Sequence, residues 1–131
     1  MFTMTVTPRF YETDAMGHIN NTVIPGWFET ARDPVFRIFN PALNMKEWNL
    51  ILARIEVDYV AQTHHGDDVT LITGIEKIGN ASFVVVQEAW QKDACVARGK
   101  AVQVFFNYLT QKSEPMPASF RAALEAHLMP A

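Results

Sequence analysis

Residues 11–32 read Tyr-Glu-Thr-Asp-Ala-Met-Gly-His-Ile-Asn-Asn-Thr-Val-Ile-Pro-Gly-Trp-Phe-Glu-Thr-Ala-Arg. A tight polar loop holds Asp14 and Gly17 and closes on Asn20-Asn21. From there Ile24, Trp27, Phe28, Ala31, Val35 and Ile38 recur at helical spacing. A loop that turns directly into a helix can set the Asp14 carboxylate beside backbone N–H groups that have no intrahelical partner, at the positive end of the helix dipole. Pro25 falls about one turn in, where a missing N–H is nearly harmless. Asp33-Pro34 resembles an N-cap followed by a first helical residue, so the helix is expected to kink or restart near Asp33. Asn40-Pro41 ends it.

Outward from this stretch the pattern changes period. Residues 3–11 favour a strand, being rich in Thr, Val, Phe and Tyr. Beyond a connector containing Trp48, Ala53, Ile55, Val57 and Tyr59 alternate with Arg54, Glu56 and Asp58, as in a strand with one covered face. His65-Gly66-Asp67-Asp68 marks a turn, 69–78 a strand, and Gly79-Asn80 a tight turn into 81–91. Lys92-Asp93 opens the next turn, and 94–107 is the last long strand. Residues 117–128 predict a short amphipathic helix with Pro117 at its first position. Strand, helix, four antiparallel strands and a small helix make an α+β fold. The antiparallel sheet is expected to wrap around one long central helix, with the first strand joining beside a later one.

The bulk numbers limit the function classes. A chain of 131 residues is enough for a single domain over 1–131 with one core. Apolar residues make up 49% and charged residues 19%, with no signature of disorder. The net charge of −3 offers no basic footprint for nucleic acid. The single cysteine, Cys95, rules out an intramolecular disulfide and suits a reducing, cytoplasmic compartment. The opening Met-Phe-Thr-Met-Thr-Val reads as a strand and not as a signal peptide. No apolar run approaches the roughly 18–20 residues of a membrane span.

Several chemistries lack their parts. There is no G-x-S-x-G elbow for a serine triad and no Gly-rich nucleotide loop. His64 and His65 are adjacent, a poor arrangement for holding one metal, so no metal site is expected. Cys95 lies mid-strand, as a small core residue would. What is present is a carboxylate next to a ready oxyanion site, the requirement of ester or thioester hydrolysis.

Glu-Thr-Asp-Ala-Met-Gly-His-Ile-Asn-Asn at 12–21 and Trp-Phe-Glu-Thr-Ala-Arg at 27–32, with the element order, resemble the hotdog-fold acyl-CoA thioesterases of the 4-hydroxybenzoyl-CoA thioesterase type. The resemblance covers roughly residues 4–107. It implies that Asp14 is the catalytic carboxylate and that the backbone N–H of Asn21 polarises the thioester carbonyl. It also implies a homodimer or homotetramer with active sites at subunit interfaces, and a dimer would cover an open sheet edge. One position departs from the pattern. Many relatives place an aromatic, often Tyr, where this chain has Ile24, so the entrance or acyl pocket is expected to differ.

On this reading Asp14 is a general base on water or a nucleophile. Gly17 takes positive φ or allows close backbone approach, and His18 orients Asp14, contacts the substrate or caps the loop. Asn20 or Asn21 caps the helix. Gly17, His18 and Asn20 are the candidate substrate-binding residues. Glu29, three residues before Arg32 on one helix face, is a reserve carboxylate with a structural role favoured. Glu12 is read as an exposed strand end. The coenzyme A phosphates call for Lys or Arg, with Arg54, Lys77, Lys92, Arg98 and Lys100 as candidates. The Gly79–Ser82 turn is a candidate for the pantetheine arm. No separate cofactor is expected, since coenzyme A is part of the substrate. The rival from another class is a non-catalytic acyl-CoA or acyl-carrier-protein binding module on the same fold. Hotdog hydratases present a His on the helix, and there is none between Asn21 and Asn40.

Overall fold

The structure, a computed structural model, describes residues 1–129. The strands are β1 (Phe2–Val6), β2 (Leu50–Tyr59), β3 (Val69–Ile78), β4 (Ser82–Gln91), β5 (Ala94–Asn107) and the short β6 (Lys112–Ser113). The helices are α1 (Val23–Ala31), α2 (Asp33–Phe39) and α3 (Ala118–Glu125). The sheet runs in the order β1-β3-β4-β5-β2, with β6 pairing β5, and its strand pairs are antiparallel. This is the expected α+β arrangement, with the first strand inserted beside β3. Among the described residues no helix is long and apolar enough to cross a membrane.

The helix breaks where Asp33-Pro34 predicts. Pro34 has no N–H to continue the ladder, and the Arg32 N–H bonds back to Phe28 O and Glu29 O, both at 3.1 Å. β1 is shorter than propensity suggests. It ends at Val6 ahead of Pro8, and Phe10–Glu12 forms a 3-10 turn instead of strand. That turn corrects the reading of Glu12, which is only 7% exposed. Its carboxylate accepts the Arg9 N–H at 2.7 Å and the Trp27 indole N–H at 3.0 Å. At the other end Pro117 is the N-cap of α3, not its first residue, and the helix stops at Glu125.

The core lies between the helices and the concave face of the sheet, in two apolar clusters. One gathers Ile24, Trp27 and Phe28 on Leu71, Ala89 and Ala97. The other gathers Val35 and Phe39 on Ile75, Val85 and Ala101. Between them runs a polar layer. In the strand register Thr73 pairs Gln87, and Gln87 pairs Gly99. The Gln87 amide donates to Phe28 O at 2.9 Å and to Thr73 Oγ1 at 3.0 Å, and its oxygen accepts from Arg32 Nη1 at 3.2 Å. Gly99 lets the helix sit this close, since a Cβ there would lie 2.9 Å from the Phe28 ring. The layer faces the α1–α2 break, where the backbone can least satisfy itself.

Candidate active site

The loop before α1 organises itself around one carboxylate oxygen. Asp14 Oδ1 accepts the Met16 N–H at 2.8 Å and the His18 N–H at 3.2 Å. The Asp14 N–H donates to His18 O at 2.8 Å, and its carbonyl accepts the Gly17 N–H at 3.1 Å. This is the side-chain-mimicked turn that Asp forms readily. Gly17 has φ +78° with no atom near the position of a Cβ, so it serves the positive φ and not a close approach. Asp14 is exposed, and no hydrogen bond among the described residues engages its second oxygen. One oxygen is fixed by the backbone while the other is left for a water or a substrate.

The helix start is arranged in the same local way. Asn20 Oδ1 accepts the Thr22 N–H at 2.9 Å and the Thr22 hydroxyl at 2.7 Å, and Asn20 O accepts the Val23 N–H at 2.9 Å. Asn20 thus caps the turn that leads into α1, whose own N-cap, Thr22, makes no side-chain cap bond. The Asn21 N–H between these engaged groups has no hydrogen-bond acceptor among the described residues. Its carbonyl is held by the Tyr59 hydroxyl at 2.5 Å. Asp14 and Asn21 share an exposed segment clamped to the chain after β2. Ile19 N–H donates to Thr63 O at 2.7 Å, His18 bridges His64 in antiparallel fashion, and their rings meet edge to face at 4.9 Å.

Other candidates fall elsewhere. Ile24 is buried in the first core cluster, so the departure from the aromatic pattern alters packing and not an entrance. Trp27 and Phe28 are core, whereas Phe36 lines a cavity with Trp48, its ring 5.5 Å away. Glu29 is exposed and lines that same cavity, and Arg32, three residues on along the same face, lines it from a buried position. Burial pulls the Arg32 guanidinium below its ordinary value, with the Glu29 charge opposing. Of the candidate phosphate ligands, Arg54 pairs Glu56, Lys92 pairs Asp67 and Lys100 pairs Glu76. Lys77 and Arg98 make no ion pair among the described residues. In the 79–82 turn, Gly79 N–H bonds Ser82 O, and the carbonyls of Gly79 and Asn80 are taken by Arg121 and Met116.

Sequence reasoning missed Glu12, Tyr59, Thr63, His64 and Gln91 as parts of this region. Gln91 holds the 64–67 turn, donating to His64 O at 2.7 Å and Asp67 O at 3.0 Å and accepting the His64 N–H at 2.9 Å. Apart from the bond of Glu12 to Arg9, their contacts run across the fold. The only usable signal was Tyr59, the polar-tipped end of an alternating strand.

Comparison with known proteins bears on this geometry. The profile of the thioesterase-like superfamily matches residues 8–124. A predicted thioesterase from Bacillus stearothermophilus is 45% identical, with a TM-score of 0.96 over 99% of this chain and 98% of that one. A Thermus thermophilus thioesterase solved with coenzyme A and Zn is 27% identical, with a TM-score of 0.84 over 95% and 91%. The uncharacterized protein YsmA of Bacillus subtilis is 28% identical over 80 residues, 61% of this chain and about half of its own length, 54%.

Proposed function

Because this chain belongs to the thioesterase-like superfamily and has its hotdog fold, we propose that it hydrolyses acyl-CoA thioesters with Asp14 as general base or nucleophile and the Asn21 N–H as oxyanion donor. The observation that carries the reading is the pair of unsatisfied groups on one short segment, the second carboxylate oxygen of Asp14 and the N–H of Asn21. Water, or Asp14 itself, attacks the thioester carbonyl. The developing oxyanion is met by an N–H at the positive end of α1, already oriented by the Asn20 cap and the Tyr59 tether. The C–S bond then breaks and coenzyme A leaves as the thiol. Where water attacked, the carboxylic acid is formed directly; where Asp14 attacked, a mixed anhydride remains that water hydrolyses to the acid and free Asp14. These steps use a carboxylate, a backbone donor and water, and call for no further cofactor. The Thermus structure with coenzyme A supports a CoA thioester as the substrate. His18, Gly17 and Asn20 shape the loop that receives it, and Lys77 and Arg98, which make no ion pair among the described residues, are the candidates for the phosphates.

The assembly fits the same reading. β2 is an edge strand of ten residues, and Ile51, Leu52, Ile55 and Tyr59 on it are exposed. A long apolar edge of this kind is covered in stable proteins, and a second copy pairing along β2 would do so in a homodimer or a dimer of dimers. A cytoplasmic setting suits the free Cys95.

The test is free-thiol release from short, medium, long and aryl acyl-CoA by the wild type and Asp14→Asn. Turnover that falls roughly 10²-fold or more in the variant supports the assignment. Turnover that survives moves the chemistry to Glu29. Binding without turnover favours the non-catalytic acyl-CoA module.

A further inference from the structure

A cavity of about 760 Å³ opens between the two edges of the curled sheet, β1 and β2, over the α1–α2 break. Its walls are apolar and partly aromatic, from Phe2, Met4, Phe36, Trp48, Leu50 and Leu52. Pockets for small molecules commonly hold a few polar groups among such walls. Here the buried polar groups are Arg32, 5% exposed, Gln103, 3% exposed, and Thr73, whose hydroxyl is taken up in the Gln87 layer, while the Glu29 and Asp33 carboxylates line the cavity nearer solvent.

Arg32 is a buried cation with no ion-pair contact among the described residues, and the Glu29 charge acts on it only from the solvent side. Of its five N–H donors, the one hydrogen bond formed is Nη1 to the neutral Gln87 amide, and Nε is buried with no partner. Glu29 is at the solvent side, and Asp33 is engaged by Arg37 at 2.8 Å. Buried charges are ordinarily paired, because an unpaired one loses its hydration for nothing in return. The Gln103 side chain adds a second unspent group, since no hydrogen bond among the described residues engages its amide.

We propose that this cavity binds a carboxylate carried on an apolar body, with the carboxylate on the Arg32 guanidinium and the Gln103 amide. A guanidinium matches a carboxylate in shape and charge, and the apolar walls take the rest of the molecule. Arg32 comes eleven residues after Asn21, about 16 Å along the helix direction at 1.5 Å per residue. Within one chain the cavity is therefore a different place from the Asp14 loop. The ligand is either a free long-chain acid or the distal carboxyl of a dicarboxylic acyl thioester. The second source rests on the thioesterase reading, and the first does not.

The test is calorimetric titration with dodecanoate and with dodecanamide, on the wild type, Arg32→Met and Gln103→Leu. Dodecanoate is expected to bind at least tenfold tighter than the amide. Arg32→Met should weaken it by about tenfold to a hundredfold, the range for a hydrogen-bonded charge, and Gln103→Leu by less. Arg32→Met removes an unpaired buried charge but leaves the Gln87 oxygen without its donor, so its melting temperature is read beside its affinity. Gln103→Leu removes no hydrogen bond among the described residues, so it keeps the test valid if Arg32→Met melts early. Displacement of dodecanoate by the CoA monothioester of dodecanedioic acid, but not by dodecanoyl-CoA, would assign the acyl source. Displacement by neither would assign the free acid. Equal binding of acid and amide, or no binding, or wild-type affinity in both variants, overturns the proposal. None of these readouts needs turnover, so a failure of the thioesterase reading stays separate.

Discussion

The Asp14 loop and the polar layer at the α1–α2 break solve the same problem in opposite ways. Both hold polar groups against unsatisfied backbone near a helix end. In the loop the partners are two to four residues apart: Asp14 with Met16 and His18, Asn20 with Thr22. In the layer Gln87 reaches Phe28, Arg32 and Thr73, which lie 59, 55 and 14 residues away. A locally closed turn keeps its shape whatever the core does. A layer made from three strands and a helix exists only when the whole fold does. Reactive geometry and fold stability should therefore respond to different substitutions.

Asp14→Asn is the sharpest way to break this comparison. Asn keeps an Oδ1 acceptor for the Met16 and His18 N–H groups, so the loop should persist. The thioesterase rate should fall roughly 10²-fold or more, which is about 2.7 kcal/mol at 1.36 kcal/mol per tenfold. The melting temperature should stay within about 2 °C, as for most exposed substitutions. A large drop in melting temperature would show that the loop is not locally closed.

Gln87→Leu should do the reverse. It strips the buried Arg32 guanidinium of its one hydrogen bond among the described residues and takes a donor from Thr73 Oγ1, whereas Phe28 O keeps the Arg32 N–H. Orphaned buried groups cost about 1–3 kcal/mol each, more when charged. The expected loss is about 3 kcal/mol or more, near 10 °C for a chain of this size, read by calorimetry or circular dichroism. A loss below about 1 kcal/mol would mean that water replaces the amide and that the layer is not the fold's keystone.

The same contrast explains what the sequence disclosed. β3 and β5 lie at 69–78 and 94–107 as alternation and turn residues predict, because both signals are local. The helix break at Asp33-Pro34 is local too. The loop was legible as a constellation, since Asp, Gly and Asn at those spacings shape the backbone by themselves. The strand propensity of Phe10 and Tyr11 carries the expected β1 past Pro8, where the chain instead leaves the sheet. The spacing of Glu29 and Arg32 on one helix face holds, but the burial of Arg32 beside residues 73, 87 and 103 of the strands is not written in it. Nothing within a few residues of Arg32 announces those neighbours.

Glu12 sits between the two regimes, with one partner three residues away and one fifteen. Glu12→Gln retains one acceptor oxygen and turns an NH2 toward either the Arg9 N–H or the Trp27 indole N–H. The cost should be about 2 kcal/mol, some 7 °C in melting temperature, since one buried donor goes unmet. Trp27 fluorescence should shift as its indole loses the carboxylate. An unchanged melting temperature would return Glu12 to the exposed role that its position suggested.

Tyr59→Phe carries the smallest effect and probes where the two regimes meet. The hydroxyl is a long-range tether at the helix end of the loop, beside the Ile19–Thr63 and His18–His64 contacts, and reaches the Asn21 carbonyl from 38 residues away. Its loss should cost about 1 kcal/mol or less, because the Asn21 carbonyl is exposed and water can replace the hydroxyl. If the loop and its Asn20 cap hold the Asn21 N–H in place by themselves, kcat should fall only a fewfold. If kcat instead falls as far as in Asp14→Asn with the melting temperature intact, the oxyanion donor is aimed from β2. The site would then be less local than its hydrogen bonds suggest, and Tyr59 would be a positioning residue of the reaction. A matching rise in KM with kcat unchanged would place the tether in substrate binding and leave the donor's alignment to the loop.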